Sequence, residues 1–104
     1  MKFIYIAGKY TGDILQNVIH GALHAVFVAE IGGHPVLPHT SHPQAEDWDH
    51  AMRLCRPQLL SCGAVYLTPG WRDSAGARQE KVWAEAVGMP VFETLSELKA
   101  WVTA

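Results

Sequence analysis

The stretch Pro69-Gly-Trp-Arg-Asp-Ser-Ala-Gly-Ala-Arg-Gln-Glu80 holds the densest chemistry of the 104-residue chain. Ser74 is of the type that caps a helix N-terminus, its hydroxyl oxygen accepting from a backbone N–H two or three residues on. A helix that starts there offers unpaired N–H groups and the positive end of the helix dipole. Gly76 has no side chain, so a ligand can approach that first turn closely. Glu80 follows Gly76 by four residues and lies on the same helix face. A carboxylate therefore points at whatever rests over the glycine. With Arg72 and Arg78 nearby, the stretch reads as an anion cradle beside a nucleophile or base. An ordinary capped and solvated helix would show the same residues, and spacing alone does not separate the two.

Tyr5 stands in the apolar run Phe3-Ile4-Tyr5-Ile6-Ala7. A buried phenol needs a hydrogen-bond partner. If the run is a strand ending at Ala7, Tyr5 is near its carboxyl end and within reach of Glu80. The turn that follows, Gly8 to Gly12, brings a second close-approach glycine at Gly8, and Lys9, Tyr10 and Thr11 as possible ligand contacts. Trp71 lies beside the cradle and is suited to stacking on a base or sugar, whereas Trp83 and Trp101 read as packing residues.

Four of the six histidines fall between His34 and His50. His39-Thr-Ser-His42, joined by His34 or His50, is a conceivable metal set, but no carboxylate sits at a familiar ligand spacing, and no metal is expected. His39 or His42 would instead overhang a cleft, since their loop leaves the carboxyl end of a strand; a solvated loop fits equally well. His20 and His24, one helical turn apart, read as surface or dimer-contact residues.

These residues need elements to hold them. The apolar run from Phe3 to Ala7 has the character of a buried parallel strand. A helical period runs from Asp13, with Ile14, Val18, Ala22, Ala25 and Ala29 tracing a stripe that Ile19 and Val26 widen, until Gly32-Gly33 ends it. Val36-Leu37 makes a second strand flanked by Pro35 and Pro38. Trp48 to Leu60 reads as a helix capped by Asp47 and interrupted by Pro57. Ala64 to Leu67, Ser74 to Val87, Pro90 to Phe92 and Leu95 to Val102 complete an alternation of strand and helix. The order β-α-β-α-β-α-β-α predicts an α/β fold. It is a doubly wound, Rossmann- or flavodoxin-like parallel sheet of about four strands with helices on both faces. Ligands of such sheets bind beyond the carboxyl ends of the strands, where both glycine loops fall. Leu23, Phe27, Val28 and Ile31 lie off the first helix's stripe. That surplus of apolar surface predicts a homodimer built through this helix.

The length fits a single domain over residues 1–104. Apolar residues at 49% against 17% charged exclude a disordered chain. A net charge of −2 gives no broad attraction for a nucleic-acid polymer or an anionic membrane. The first helix carries Asp13, Gln16, Asn17, His20, His24 and Glu30, too polar a set for a membrane span. The apolar start is too short for a signal peptide's core. Cys55 and Cys62 stand two helical turns apart, too far for a bridge, and read as free thiols of a reducing, cytoplasmic location.

Ile4-Tyr5-Ile6-Ala7-Gly8, Cys62-Gly-Ala-Val-Tyr-Leu-Thr-Pro-Gly-Trp71 and Ser74-Ala-Gly-Ala-Arg-Gln-Glu80 together resemble the nucleoside 2-deoxyribosyltransferase-like superfamily, in particular its short bacterial and phage branch. The resemblance extends from the first strand to the fourth. It implies cleavage of the N-glycosidic bond of a (deoxy)nucleoside or its 5′-monophosphate. The sugar passes to water or to another base, without cofactor or metal. It implies that Glu80 attacks C1′ and that Tyr5 orients it. Ser74 matches a serine that contacts the 5′-phosphate in the nucleotide hydrolases, which implies a phosphorylated substrate. Gly8, Lys9, Trp71, Gly76, Arg78 and His39 are the expected substrate contacts. Two positions depart from the pattern. Cys55 stands where an acid is usual, and Gly63 where an aspartate is, leaving Asp47, Asp49 or His50 as replacement acids. These departures keep open a non-catalytic nucleotide-binding or sensing module on the same fold.

Overall fold

The computed structural model describes residues 2–40 and 47–104. Four strands, β1 (Phe3–Ala7), β2 (His34–Val36), β3 (Ala64–Leu67) and β4 (Val91–Phe92), form one parallel sheet in the order β2-β1-β3-β4. The helices are α1 (Ile14–Glu30), α2 (Trp48–Leu60), α3 (Ala75–Ala86) and α4 (Leu95–Val102). Short 3-10 turns occupy Pro38–Thr40 and Trp71–Asp73. The strand order reverses between β1 and β3, and a doubly wound sheet opens its ligand crevice at that point.

Strand alternation decides which side chains meet which helices. Tyr5, Ala7, Val65 and Leu67 point to one face and pack with Cys55 and Leu59 of α2 and Ala77 and Ala84 of α3. Ile4, Ile6, Ala64 and Tyr66 point to the other and pack with Val28 of α1 and Leu98 of α4. Four consecutive residues of β1 and all of β3 are buried, as strands covered on both faces must be. Burial of Tyr5 on the α2–α3 side is what sends its hydroxyl toward α3.

The first helix turns a different face inward from the one its apolar stripe predicts. Gly21, His24 and Val28 are its buried residues, while Ile14, Ile19 and Val26 of the predicted stripe are half exposed. Small and polar groups win the inward face because they fit. Gly21 leaves room for Leu37 and the His39 ring, each within about 3.3 Å of where its Cβ would be. His24 Nδ1 meets the Tyr66 hydroxyl at 3.0 Å. His24 is thus a core residue rather than a surface one, and burial lowers its imidazole's proton affinity, as does the neighbouring His20. Val28, placed off the stripe by sequence, is fully buried.

One proline sits differently from expectation, and another sits where the sequence put it. Pro35 lies inside β2 rather than before it, which an edge strand tolerates because one side of its ladder is unpaired. Pro57 lies inside α2, which continues to Leu60 rather than stopping early. Among the described residues no helix is long and apolar enough to cross a membrane.

Candidate active site

At the carboxyl ends of the strands lies a cavity of about 380 Å³. Gly8, Tyr10 and Thr11 contribute from the turn after β1, and Pro38 and His39 from the turn after β2. Asp47, Trp48, Ala51, Met52 and Cys55 supply the α2 wall. Ser74, Ala75, Gly76 and Glu80 supply the α3 wall. Ser74 caps α3, its hydroxyl oxygen accepting from the Ala77 N–H at 3.1 Å. The first-turn N–H groups of Ala75 and Gly76, which have no intrahelical acceptor, stand at this wall. A Cβ on Gly76 would lie 3.4 Å from Met52 Sδ and 3.7 Å from Trp48 Nε1. The glycine thus keeps α2 and α3 close at the cavity while leaving α3's first turn open.

Glu80 lies one turn deeper and is only 5% exposed. Its Oε2 accepts a hydrogen bond from the Tyr5 hydroxyl. Burial pushes the Glu80 carboxyl up to about 8, and the Tyr5 hydrogen bond acts in the opposite sense. Tyr5 is held well above the usual phenol value by burial, then by the negative charge of Glu80 and by Cys55. It therefore stays a neutral donor. Cys55 is raised by burial and interacts with Tyr5 and Glu80, completing a three-residue cluster at the closed end of the cavity. Once ionised, a carboxylate so dry and held by one donor carries its negative charge weakly hydrated, which is what attack on, or stabilisation of, a developing cation requires.

Of the sequence-predicted residues, Gly8, His39, Ser74, Gly76 and Glu80 line one cavity, and Tyr5 bonds to Glu80 behind it. Lys9, Trp71 and Arg78 do not line it. Lys9 offers its carbonyl to His39 Nε2 at 3.0 Å. The other ring nitrogen, Nδ1, is buried without a hydrogen-bond partner among the described residues, and burial lowers the imidazole's proton affinity. Trp71 is buried in the core beside α3, and its indole N–H donates to Glu93 Oε1 at 3.0 Å. Arg72 and Lys81 lie over its ring. Arg78 donates to the Arg72 carbonyl. The turn after β3 directs Trp71 and Arg72 toward Glu93, just beyond β4, away from the cavity. Gly8 also proves to be a packing glycine, because a Cβ there would collide with Thr68 Oγ1.

The indole at the cavity is Trp48, which sequence reasoning passed over, together with Met52. Trp48, Met52 and Cys55 recur at helical spacing, but that spacing marks core and cavity faces alike. Among the replacement acids, Asp47 lines the cavity, whereas Asp49 and His50 do not. His42 lies outside the described residues. Among the described residues no three His, Cys, Asp or Glu side chains converge as a metal set.

The fold is a doubly wound parallel α/β sheet of the kind a 2-deoxyribosyltransferase has. The structure is similar to that of the 2-deoxyribosyltransferase of the psychrotolerant bacterium Bacillus psychrosaccharolyticus, with a TM-score of 0.68 over 93% of this chain and 90% of that one, at 13% sequence identity. Residues 2–93 match the family described as a domain of unknown function, DUF4406, and the chain belongs to that family. No curated protein matches the chain.

Proposed function

We propose that this protein cleaves the N-glycosidic bond of a nucleoside or nucleotide, with Glu80 as the nucleophile. The observation that carries the reading is a buried carboxylate, hydrogen-bonded by Tyr5, at the closed end of a cavity whose wall is a helix N-terminus. Ionised Glu80 bonds to C1′ as the bond from C1′ to the base nitrogen breaks. The base leaves with that electron pair and takes up a proton. Water, or a second base, then displaces Glu80 from C1′ and regenerates the carboxylate. Tyr5 fixes the attacking oxygen. The α3 N–H groups and the Ser74 hydroxyl anchor the sugar end. Trp48, Tyr10 and His39 offer rings to the base. No cofactor or metal enters these steps. The likeness to a 2-deoxyribosyltransferase supports the reading at the level of fold. We place the protein in the cytoplasm as a homodimer joined through α1.

The test is a chromatographic screen of nucleosides and 5′-monophosphates for free base, with Glu80→Ala as control. Base released by the parent and not by the variant is the expected result. No release from any substrate would overturn the reading. A binding module without turnover is favoured by one observation: Glu80 is buried, which raises its carboxyl well above the usual value and disfavours the ionised form. In that case Glu80→Gln and the parent would bind nucleosides alike, and neither would release base.

A further inference from the structure

We infer that Asp47 is a specificity-determining residue that keeps phosphorylated ligands out of the cavity, so that this site takes an uncharged nucleoside. The inference rests on the nucleoside reading of the same cavity and reverses the phosphate preference that Ser74 implies by resemblance.

It follows from where the charges lie. Among the described residues, the cavity is lined by two carboxylates, Asp47 and Glu80, and by no lysine or arginine. Residues 41–46 contain neither lysine nor arginine. The lysines and arginines of the chain lie outside the cavity lining. Lys2 lies over the Trp101 ring and donates to its carbonyl. Arg56 lies over Trp83 and lines, with Arg53, an adjoining hollow between α2 and α3 that meets the cavity only at Trp48 and Met52. Arg72, Arg78 and Lys81 gather around Trp71. Lys99 is on α4, across the sheet. Lys9, the nearest in the chain, runs its side chain past Gly12 and is not a lining residue.

Two helix N-termini face the cavity, and only one is available to an anion. The α2 terminus already holds one, because Asp47 caps it and accepts from the His50 N–H at 2.8 Å. The α3 terminus is capped by a neutral serine and offers about half a unit of positive charge. A phosphate carries roughly −1.5 to −2 charges at neutral pH, more than that terminus offsets. A cavity of this volume is about 9 Å across, within the ~10 Å screening length at 0.1 M salt, so Asp47 acts over all of it. A second cost falls on the nucleophile. A dianion in the same cavity would favour the protonated, unreactive form of Glu80. A sugar hydroxyl, by contrast, pairs with the α3 N–H groups and Ser74 at no such cost.

The experiment compares one nucleoside with its 5′-monophosphate, by turnover in the parent and by calorimetric binding in Glu80→Gln. At low salt the nucleoside is expected to be preferred at least tenfold. The preference should shrink in Asp47→Asn and at high salt. Asparagine caps helices as well as aspartate does, so that variant keeps α2 intact, and Asp47→Ser provides a second neutral cap. Equal or better use of the monophosphate, an unchanged ratio in both Asp47 variants, or no binding of either ligand would overturn the inference. Binding that favours the nucleoside without any turnover would sustain it while removing the glycosidase reading. Turnover that favours the monophosphate would do the reverse.

Discussion

In the proposed reaction, Glu80 joins catalysis and stability through one proton. Its carboxyl stays protonated up to about 8 in the folded chain, whereas an unfolded glutamate releases its proton near the ordinary carboxylate value. The folded state therefore holds an extra proton between those values. The associated stability is fully present below the ordinary value and is lost as pH rises through about 8. Melting temperature should fall between pH 6 and 9 in the parent and fall less in Glu80→Gln, which cannot ionise. Equal slopes in scanning calorimetry would refute the buried-carboxyl assignment. Turnover should rise over the same range, because the ionised form attacks. Tyr5→Phe deletes the donor that opposes the burial effect, so the midpoint of the pH–rate profile should move upward. Each unit of that move costs about tenfold in ionised Glu80 at neutral pH. A profile with an unmoved midpoint would deny Tyr5 this role.

At the scale of elements, the cavity depends on how closely the turn after β1 approaches the end of β3. Gly8 makes that approach possible, since a Cβ there would meet Thr68 Oγ1. Gly8→Ala should cost about 1–3 kcal/mol by overpacking. Thr68 Oγ1 has no hydrogen-bond partner among the described residues, so Thr68→Ala alone should cost little. The double variant should recover much of the loss. Denaturant unfolding of all three checks this, and additive losses would mean that the contact does not limit the turn. The same scale explains why Trp71, expected beside the cradle, does not line the cavity. It is three residues before the Ser74 cap, but the 3-10 turn at Trp71–Asp73 rotates it toward Glu93.

For the whole molecule, the open question is the outer face of α1. Leu15, Ile19, Leu23 and Val26 fall within one quadrant of the helix, and each is roughly half exposed or more. We propose that this apolar face is the dimer interface, because such patches often serve association. Sedimentation equilibrium should return twice the chain mass of 11.5 kDa. Ile19→Glu with Leu23→Glu should return the single chain with its helical circular dichroism intact. A monomeric parent at micromolar concentration would remove the dimer.

The alternation of apolar runs with helical periods was enough to determine the parallel α/β class, because buried strands and amphipathic helices have distinct local signatures. The Gly76–Glu80 spacing, one helical turn, put the carboxylate on the cavity side of α3 for the same local reason. Tertiary packing alone decided which face of α1 turns inward. There a histidine with a hydroxyl partner and a glycine under a ring displaced more apolar residues that fit the sheet less well. It also decided that the indole at the cavity is Trp48 and that the cations stand apart from it. Those facts depend on groups far apart in the chain, and spacing carries no record of where a turn aims its side chains.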